Sequence, residues 1–413
     1  MNGKWLLPWS RSLTVAARVI LVCSLVLGAG APAVARAAPA TPLPGCHDGQ
    51  LGAQLIQICF PLNWNGTLIM YAHGYRAAQE PLILPTAELT INGVYVPNLL
   101  MAQGFAFATS SLSRNGYAVM SAETDLNALM DYFAAQVPAG SLQKVYIGGA
   151  SEGGLVTTMM TEKYPDRYRG GLAMCGPIGG TPYQVKTQGD FKVVFDYFFP
   201  DVFDFGAVDV PPDAWQNWDA YEASITAALA ADPSAREQLF AVTGAARDPA
   251  DPAGSAAVSA NASLWYNVWA SNDLFNTAGG NPYGNRLTLY RGSLNDLALN
   301  RGVERVTADP AALAWVRTWY EPSGHLQNPL VTLHTTLDPV VPYNHERIYA
   351  ARALLAGSAS NLTVLPVQRY GHCAFELNEI LAGFGWLLLR TGGAVPDAWA
   401  AAMAEVQPEA AGR

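Results

Sequence analysis

The chain has 413 residues, 50% hydrophobic and 14% charged, enough for a large core in one big domain with an insertion, or in two domains. Four of the 24 basic residues and none of the 33 acidic ones fall within residues 1–37, so the rest of the chain sets 20 basic against 33 acidic residues. A net charge of −13 beyond that segment argues against nucleic-acid binding, which needs basic patches.

Residues 1–37 read as a secretory signal. Lys4, Arg11 and Arg18 precede the apolar run VILVCSLVLGAG, and the small residues APAVARAAPA follow, with cleavage expected near Ala37. The apolar run is shorter than the roughly 20 residues of a membrane-spanning helix. Cys23 lies inside it, which does not fit a lipoprotein signal. An exported, soluble protein in an oxidising compartment is the expectation. Four cysteines remain (Cys46, Cys59, Cys175 and Cys373), an even number that reads as two disulfides with three possible connectivities. There is no CxxC or HExxH pattern, so no metal site and no cofactor are indicated.

From Gly66 onward two textures alternate. TLIMYAHGY (67–75) and GFAFATSSL (104–112) read as strands, and SAETDLNALMDYFAAQV (121–137) as a helix. KVYIGG is a strand, GGLVTTMMTEKY a helix and GGLAMCG (170–176) a strand. After an interruption the pattern resumes with PLVTLHT (329–335), the helix NHERIYAARALLAG (344–357), the strand LTVLPVQRY (362–370) and the amphipathic helix ELNEILAGFGWLLLR (376–390). Strands alternating with helices predict a mostly parallel sheet covered on both faces. The core then comprises residues 38–178 and 327–405. Residues 179–326 form a mainly helical, aromatic-rich cap, in which ARDPADPAGSAAVSAN reads as a mobile linker.

One stretch at a strand-to-helix junction, GGASEGG (148–154), sets Ser151 between glycines. A lone G-x-S-x-G carries little weight, but this setting is that of a nucleophile on a tight turn, where Gly149 and Gly153 leave room for close backbone approach. A serine hydroxyl needs a base, and the base needs an orienting group. His47 precedes the alternating pattern, His73 reads as loop-ordering, His325 lies in the cap, His334 within a strand, and His345 on a helix face read as solvated. His372 follows the last strand directly, at the carboxyl edge where Ser151 lies. Asp338 stands just beyond another strand, with Pro339 and Pro342 in its loop, giving the chain order Ser151, Asp338, His372. The backbone N–H groups of Tyr75 and Glu152 are the expected oxyanion hole.

The pieces AHGY, GGASEGG, TLDPVVP and YGHCAF, in this order and at strand ends, resemble the α/β-hydrolase family over most of 45–178 and 327–392. That resemblance implies an eight-stranded, mostly parallel sheet and an acyl-enzyme mechanism; the cap, inserted after strand six, falls outside it. The chain also looks like exported esterases of the feruloyl esterase, tannase and polyester depolymerase kind. In the tannase-like group a disulfide joins the residue before the serine to the residue beside the histidine. Here Ala150 precedes Ser151, so the resemblance implies that Cys373 pairs with Cys175, and Cys46 with Cys59 in an N-terminal loop. Tyr75 and the cap rings Phe191, Phe195, Phe198, Phe199, Trp215, Trp218, Trp265 and Trp269 favour a small or polymeric ester with an apolar or aromatic acyl group. Packing of those rings is the plainer reading. The alternatives are a serine peptidase similar to the prolyl oligopeptidase group, whose members usually carry an N-terminal propeller, and a non-catalytic binding protein of the same fold.

Overall fold

The computed structural model describes residues 43–409; the signal segment lies outside them. Its centre is an eight-stranded sheet of β1 (Gly45–Leu51), β2 (Gln54–Phe60), β3 (Thr67–Ala72), β6 (Ala106–Ser110), β7 (Lys144–Ala150), β8 (Gly170–Met174), β9 (Leu330–Leu337) and β10 (Leu362–Tyr370). A separate ribbon pairs β4 (Thr90–Ile91) with β5 (Val94–Tyr95). The order across the sheet is β1-β2-β6-β3-β7-β8-β9-β10, antiparallel at β1/β2 and β2/β6 and parallel from β6 to β10. The expected mostly parallel sheet is present. Its first hairpin falls where no alternating pattern was read, because β1 is largely exposed and lacks an apolar face.

The central strands are buried on both sides, which explains their continuous apolar runs. Leu68, Met70 and Ala72 of β3 face α2 (Val119–Gln136) and α3 (Glu152–Lys163), after α1 (Val96–Ala102) in the chain. Ile69 and Tyr71 point the opposite way, into a second core. Six helices follow β8 before β9 begins: α4 (Thr181–Phe198), α5 (Trp218–Ala231), α6 (Pro233–Thr243), α7 (Gly254–Ala278), α8 (Asp296–Gly302) and α9 (Pro310–Tyr320). They pack into the same core as α2 and α3. The chain closes with α10 (Asn344–Leu355), α11 (Leu377–Arg390) and α12 (Asp397–Glu405); α11 and α12 supply the second core.

Residues 246–261, read from sequence as a mobile linker, are instead a tied turn running into α7. Ser255 Oγ accepts from Asp248 N–H at 2.9 Å, Ser259 Oγ donates to Ala246 O at 2.6 Å, and Arg247 pairs with Glu237 at 2.9 Å. The Pro/Asp composition marks a helix start here rather than disorder. Among the described residues no helix is long and apolar enough to cross a membrane.

The helical insertion is built around one buried cation. Lys192 Nζ is fully buried, donates to Asp196 Oδ2 at 2.5 Å and Phe205 O at 3.0 Å, and lies 4.4 Å from the Phe203 ring centroid. Removing one partner of a buried pair leaves the other uncompensated. Asp196→Ala should therefore cost about 3 kcal/mol of stability, read as a lower urea midpoint, and adding Lys192→Met to it should recover most of the loss. An unchanged midpoint in the single variant would contradict this role.

Candidate active site

Ser151 occupies the turn between β7 and α3 with φ 56° and ψ −123°, outside the regions ordinary side chains prefer. The turn is possible because its neighbours lack side chains. A Cβ on Gly149 would lie 2.3 Å from Gly153 O, and one on Gly153 would lie 2.0 Å from Ala72 O. The two glycines thus let α3 start against the end of β3, aiming Ser151 outward at the carboxyl edge.

β9 and β10 deliver the other two residues to that edge. Asp338 is the first residue beyond β9 and His372 the second beyond β10. His372 Nε2 is 2.9 Å from Ser151 Oγ, and His372 Nδ1 is 2.7 Å from Asp338 Oδ2. Asp338 Oδ1 accepts from the N–H groups of Val340 and Val341 at 2.8 and 2.9 Å. Burial alone would favour its neutral form, but His372 and His334 outweigh this and hold the carboxyl well below the usual range. An ionised Asp338 requires N–H at His372 Nδ1, which leaves Nε2 free to accept the serine proton.

The loop bearing His372 is braced from three directions. Cys373 is bonded to Cys175, which follows β8; the second disulfide, Cys46–Cys59, joins opposite residues of β1 and β2 at the far edge of the sheet. Arg369 donates to Ala374 O and to Glu379 Oε2, each at 2.7 Å. Glu376 and Glu379 form a reciprocal cap at the start of α11.

Tyr75 follows β3, whose neighbour is β7, so its backbone passes beside Ser151. Gly74 N–H is held by Glu88 Oε2 at 2.9 Å, and Glu88 also accepts from Tyr71 O–H at 3.2 Å and pairs with Arg76 at 3.4 Å. Glu152 is the first residue of α3, where backbone N–H groups lack partners within the helix. Its side chain is buried, and Oε1 accepts from Ala118 N–H at 3.0 Å. Burial, with a smaller contribution from Asp273, pushes the Glu152 carboxyl up to about 8 despite that bond.

A cavity of about 390 Å³ opens beside Ser151 and His372. Its walls are Ile69 and Tyr71 of β3, Phe107 of β6, Met174 of β8, Val96 and Leu100 of α1, and Ile380 and Phe384 of α11. None of the eight cap rings named from the sequence lines it. Phe191, Phe195 and Phe199 are buried in the core that the insertion shares with α2 and α3, and Trp265 and Trp269 stack 5.5 Å apart. The insertion supplies Tyr266 instead, which packs 5.6 Å from the Tyr75 ring. A smaller space of about 40 Å³ lies on the far side of Tyr75 and Tyr266, lined by Ser151, Glu152, Gln184 and Gln188.

Sequence reasoning missed Tyr266 and Glu88. Tyr266 sits in the run LWYNVW, whose rings crowd every helical phase, and Glu88 lies in an aperiodic loop. His345, read as solvated, is buried. It accepts from Gly179 N–H at 3.0 Å and donates to Gln184 Oε1 at 2.8 Å. His73 is buried between the carbonyls of Gly74 and Ser111. His47 and His325 are exposed.

Two outcomes follow from this geometry. The folded Glu152 keeps a proton that an unfolded chain loses near pH 4, so stability should fall as pH rises from about 4.5 toward about 8. Glu152→Gln should flatten that decline in thermal midpoint, and parallel slopes for the two proteins would contradict it. Opening Cys175–Cys373 by Cys373→Ser should lower hydrolytic kcat/KM by about 10- to 100-fold through a misplaced imidazole, with far-ultraviolet circular dichroism retained. Undiminished turnover would show that the bond does not hold the loop.

Residues 103–245, which include Ser151 but neither Asp338 nor His372, match the family model described as the prolyl oligopeptidase family. No curated protein sequence matches the chain. Among solved structures, an acylaminoacyl peptidase in complex with Z-Gly-Gly-Phe-chloromethyl ketone aligns at 10% identity and TM-score 0.43, over 85% of this chain and 41% of that one. The chain thus spans about two fifths of that peptidase. Candida antarctica lipase A in its closed state aligns at 13% identity and TM-score 0.43, over 84% and 74% of the two chains. Feruloyl esterase B from Aspergillus oryzae aligns at 15% and 0.39, over 78% and 71%. Similarity at this level does not separate peptidases from esterases. By its sheet order, its strand-to-helix serine turn and its helices on both faces, the chain has the α/β-hydrolase fold.

Proposed function

We propose that the protein is an exported serine hydrolase of carboxylic esters with an apolar or aromatic acyl group. The carrying observation is the apolar cavity that starts at Ser151 Oγ and runs between the sheet and α1 and α11. Acyl groups enter such a space by shedding water, at roughly 25 cal/mol per Å² of apolar surface buried. The two disulfides fit an oxidising compartment.

In this reading Ser151 Oγ attacks the ester carbonyl while His372 Nε2 takes its proton. The tetrahedral oxyanion lies against the N–H groups of Tyr75 and Glu152. Collapse breaks the bond to the alcohol oxygen, which receives the proton from His372, and leaves the acyl group on Ser151. Water, deprotonated by His372, then adds to the acyl carbonyl, and the acid departs as Ser151 regains its proton. Asp338 keeps the imidazole in the required tautomer throughout. The small space beyond Tyr75 and Tyr266 is the proposed exit for the alcohol, and the helical insertion acts as a cap through Tyr266.

A peptidase is the second reading, favoured by the family model over residues 103–245 and by the Glu88 carboxylate in the cavity wall, a possible partner for a substrate amine. That carboxylate already receives Gly74 N–H, Tyr71 O–H and Arg76, which supports a structural role. Assays with p-nitrophenyl esters and aminoacyl p-nitroanilides separate the two. Ester turnover abolished by Ser151→Ala, with anilides untouched, is expected; anilide turnover alone would reverse the order. Folded protein inert to both would favour a binding role.

A further inference from the structure

His334 lies within β9 and is completely buried, directly behind Asp338. Its Nδ1 is 3.0 Å from Glu346 Oε1 of α10, and its Nε2 is 2.9 Å from Val341 O. The same Nε2 is 3.6 Å from Asp338 Oδ2, the oxygen that binds His372. A carbonyl oxygen only accepts, so Nε2 carries a proton. The proton between Nδ1 and Glu346 belongs on the ring for two reasons. Thr332 O–H donates to Glu346 Oε2 at 2.6 Å and so stabilises its carboxylate form, and the neighbouring Asp338 favours a positive ring.

The adjacent histidine gives the contrast. His345 faces one donor, Gly179 N–H, and one acceptor, Gln184 Oε1, which is the pattern of a neutral imidazole. Burial holds it well below the usual range. His334 faces acceptors alone, two of them carboxylates.

We propose that His334 is an imidazolium clamped between Glu346 and Asp338, and that it acts as a positioning residue which fixes the Asp338 carboxylate against His372. The proposal rests on the triad reading above. Asp338, His334 and Glu346 together carry one negative charge, so the cluster becomes neutral when His372 takes the serine proton. Groups on every side are consistent with this balance. Tyr343 presents its ring edge at 5.7 Å, β10 places Pro366 opposite His334, and β8 brings Ala173 and Met174 beside the flanking Thr332 and Leu333. From α10 come Glu346 and the neutral His345, with Arg352 acting on His345 from further along the helix. Burial opposes a charge on His334, yet Asp338 and Glu346 raise it to about 10.

The test compares pH profiles of ester kcat/KM for the full chain and two variants. His334→Gln should move the acid limb about one unit to higher pH, because a positive charge behind Asp338 is removed. Glu346→Gln should move it to lower pH, since the amide oxygen still accepts from Nδ1 while a negative charge is lost. A merely structural role would depress activity at all pH values and leave the limb in place, and an unmoved limb in both variants overturns the proposal. Nitrogen-15 NMR of histidine-labelled Ser151→Ala protein reads the ring directly at pH 7.5. Two protonated nitrogens on His334 support the clamp, and a neutral ring overturns it whatever the substrate. An imidazolium signal from a protein inert to esters would uphold the clamp and remove only the ester reading.

Discussion

The hydrogen bond between His372 Nδ1 and Asp338 Oδ2 joins the ends of two neighbouring parallel strands, and its 2.7 Å length depends on where those strands stop. Leu337 and Tyr370 are paired in the β9/β10 register, Gly371 N–H returns to Leu337 O at 3.2 Å, and Thr335 O–H reaches Gly371 O at 2.6 Å. The two chains therefore leave the sheet together. A shift of one residue in this register would turn the strand's side chains to the opposite face. The disulfide to Cys175 extends the same control to β8, so three adjacent strand ends bear on one imidazole. Cys175 and Cys373 both have positive φ, as does Ser151, so non-glycine residues hold uncommon backbone conformations around the site.

Much of this was legible in the chain order. The G-x-S-x-G turn, the aspartate after LVTLHTTL and the histidine after LTVLPVQRY could be placed at one edge because a parallel sheet puts all its strand ends there. What could not be read depends on tertiary packing. The hairpin at Gly45–Phe60 has an exposed first strand with no apolar alternation to announce it. His345 looks like a surface residue on a helix of mixed composition, and only the fold brings Gln184 and Gly179 around it. Tyr266 differs from Trp265 by one step on α7, yet only Tyr266 lines the cavity. Helical phase, not residue type, decides which ring lines the cavity.

The aromatic wealth of the insertion invited a substrate role, yet none of its eight rings named from the sequence lines the cavity beside Ser151. Those rings stabilise the insertion around Lys192 and against α2 and α3, on one side of the sheet. The cavity opens toward the other side, among residues of the first strands and of α1 and α11 whose apolar character is that of any core. A cavity formed from core positions leaves no compositional mark. Electrostatic features are similarly hidden, since the row of Ser151, His372, Asp338, His334 and Glu346 spans elements far apart in number.

The central claim is that one hydroxyl of this chain is activated by that row of groups. Mass spectrometry of peptides after exposure to a fluorophosphonate, which phosphonylates an activated serine with loss of fluoride, examines it most directly. A single adduct on the peptide containing Ser151, absent when Asp338 is replaced by alanine, is the predicted result. An unlabelled Ser151 in folded protein, or labelling indifferent to Asp338, would contradict the account.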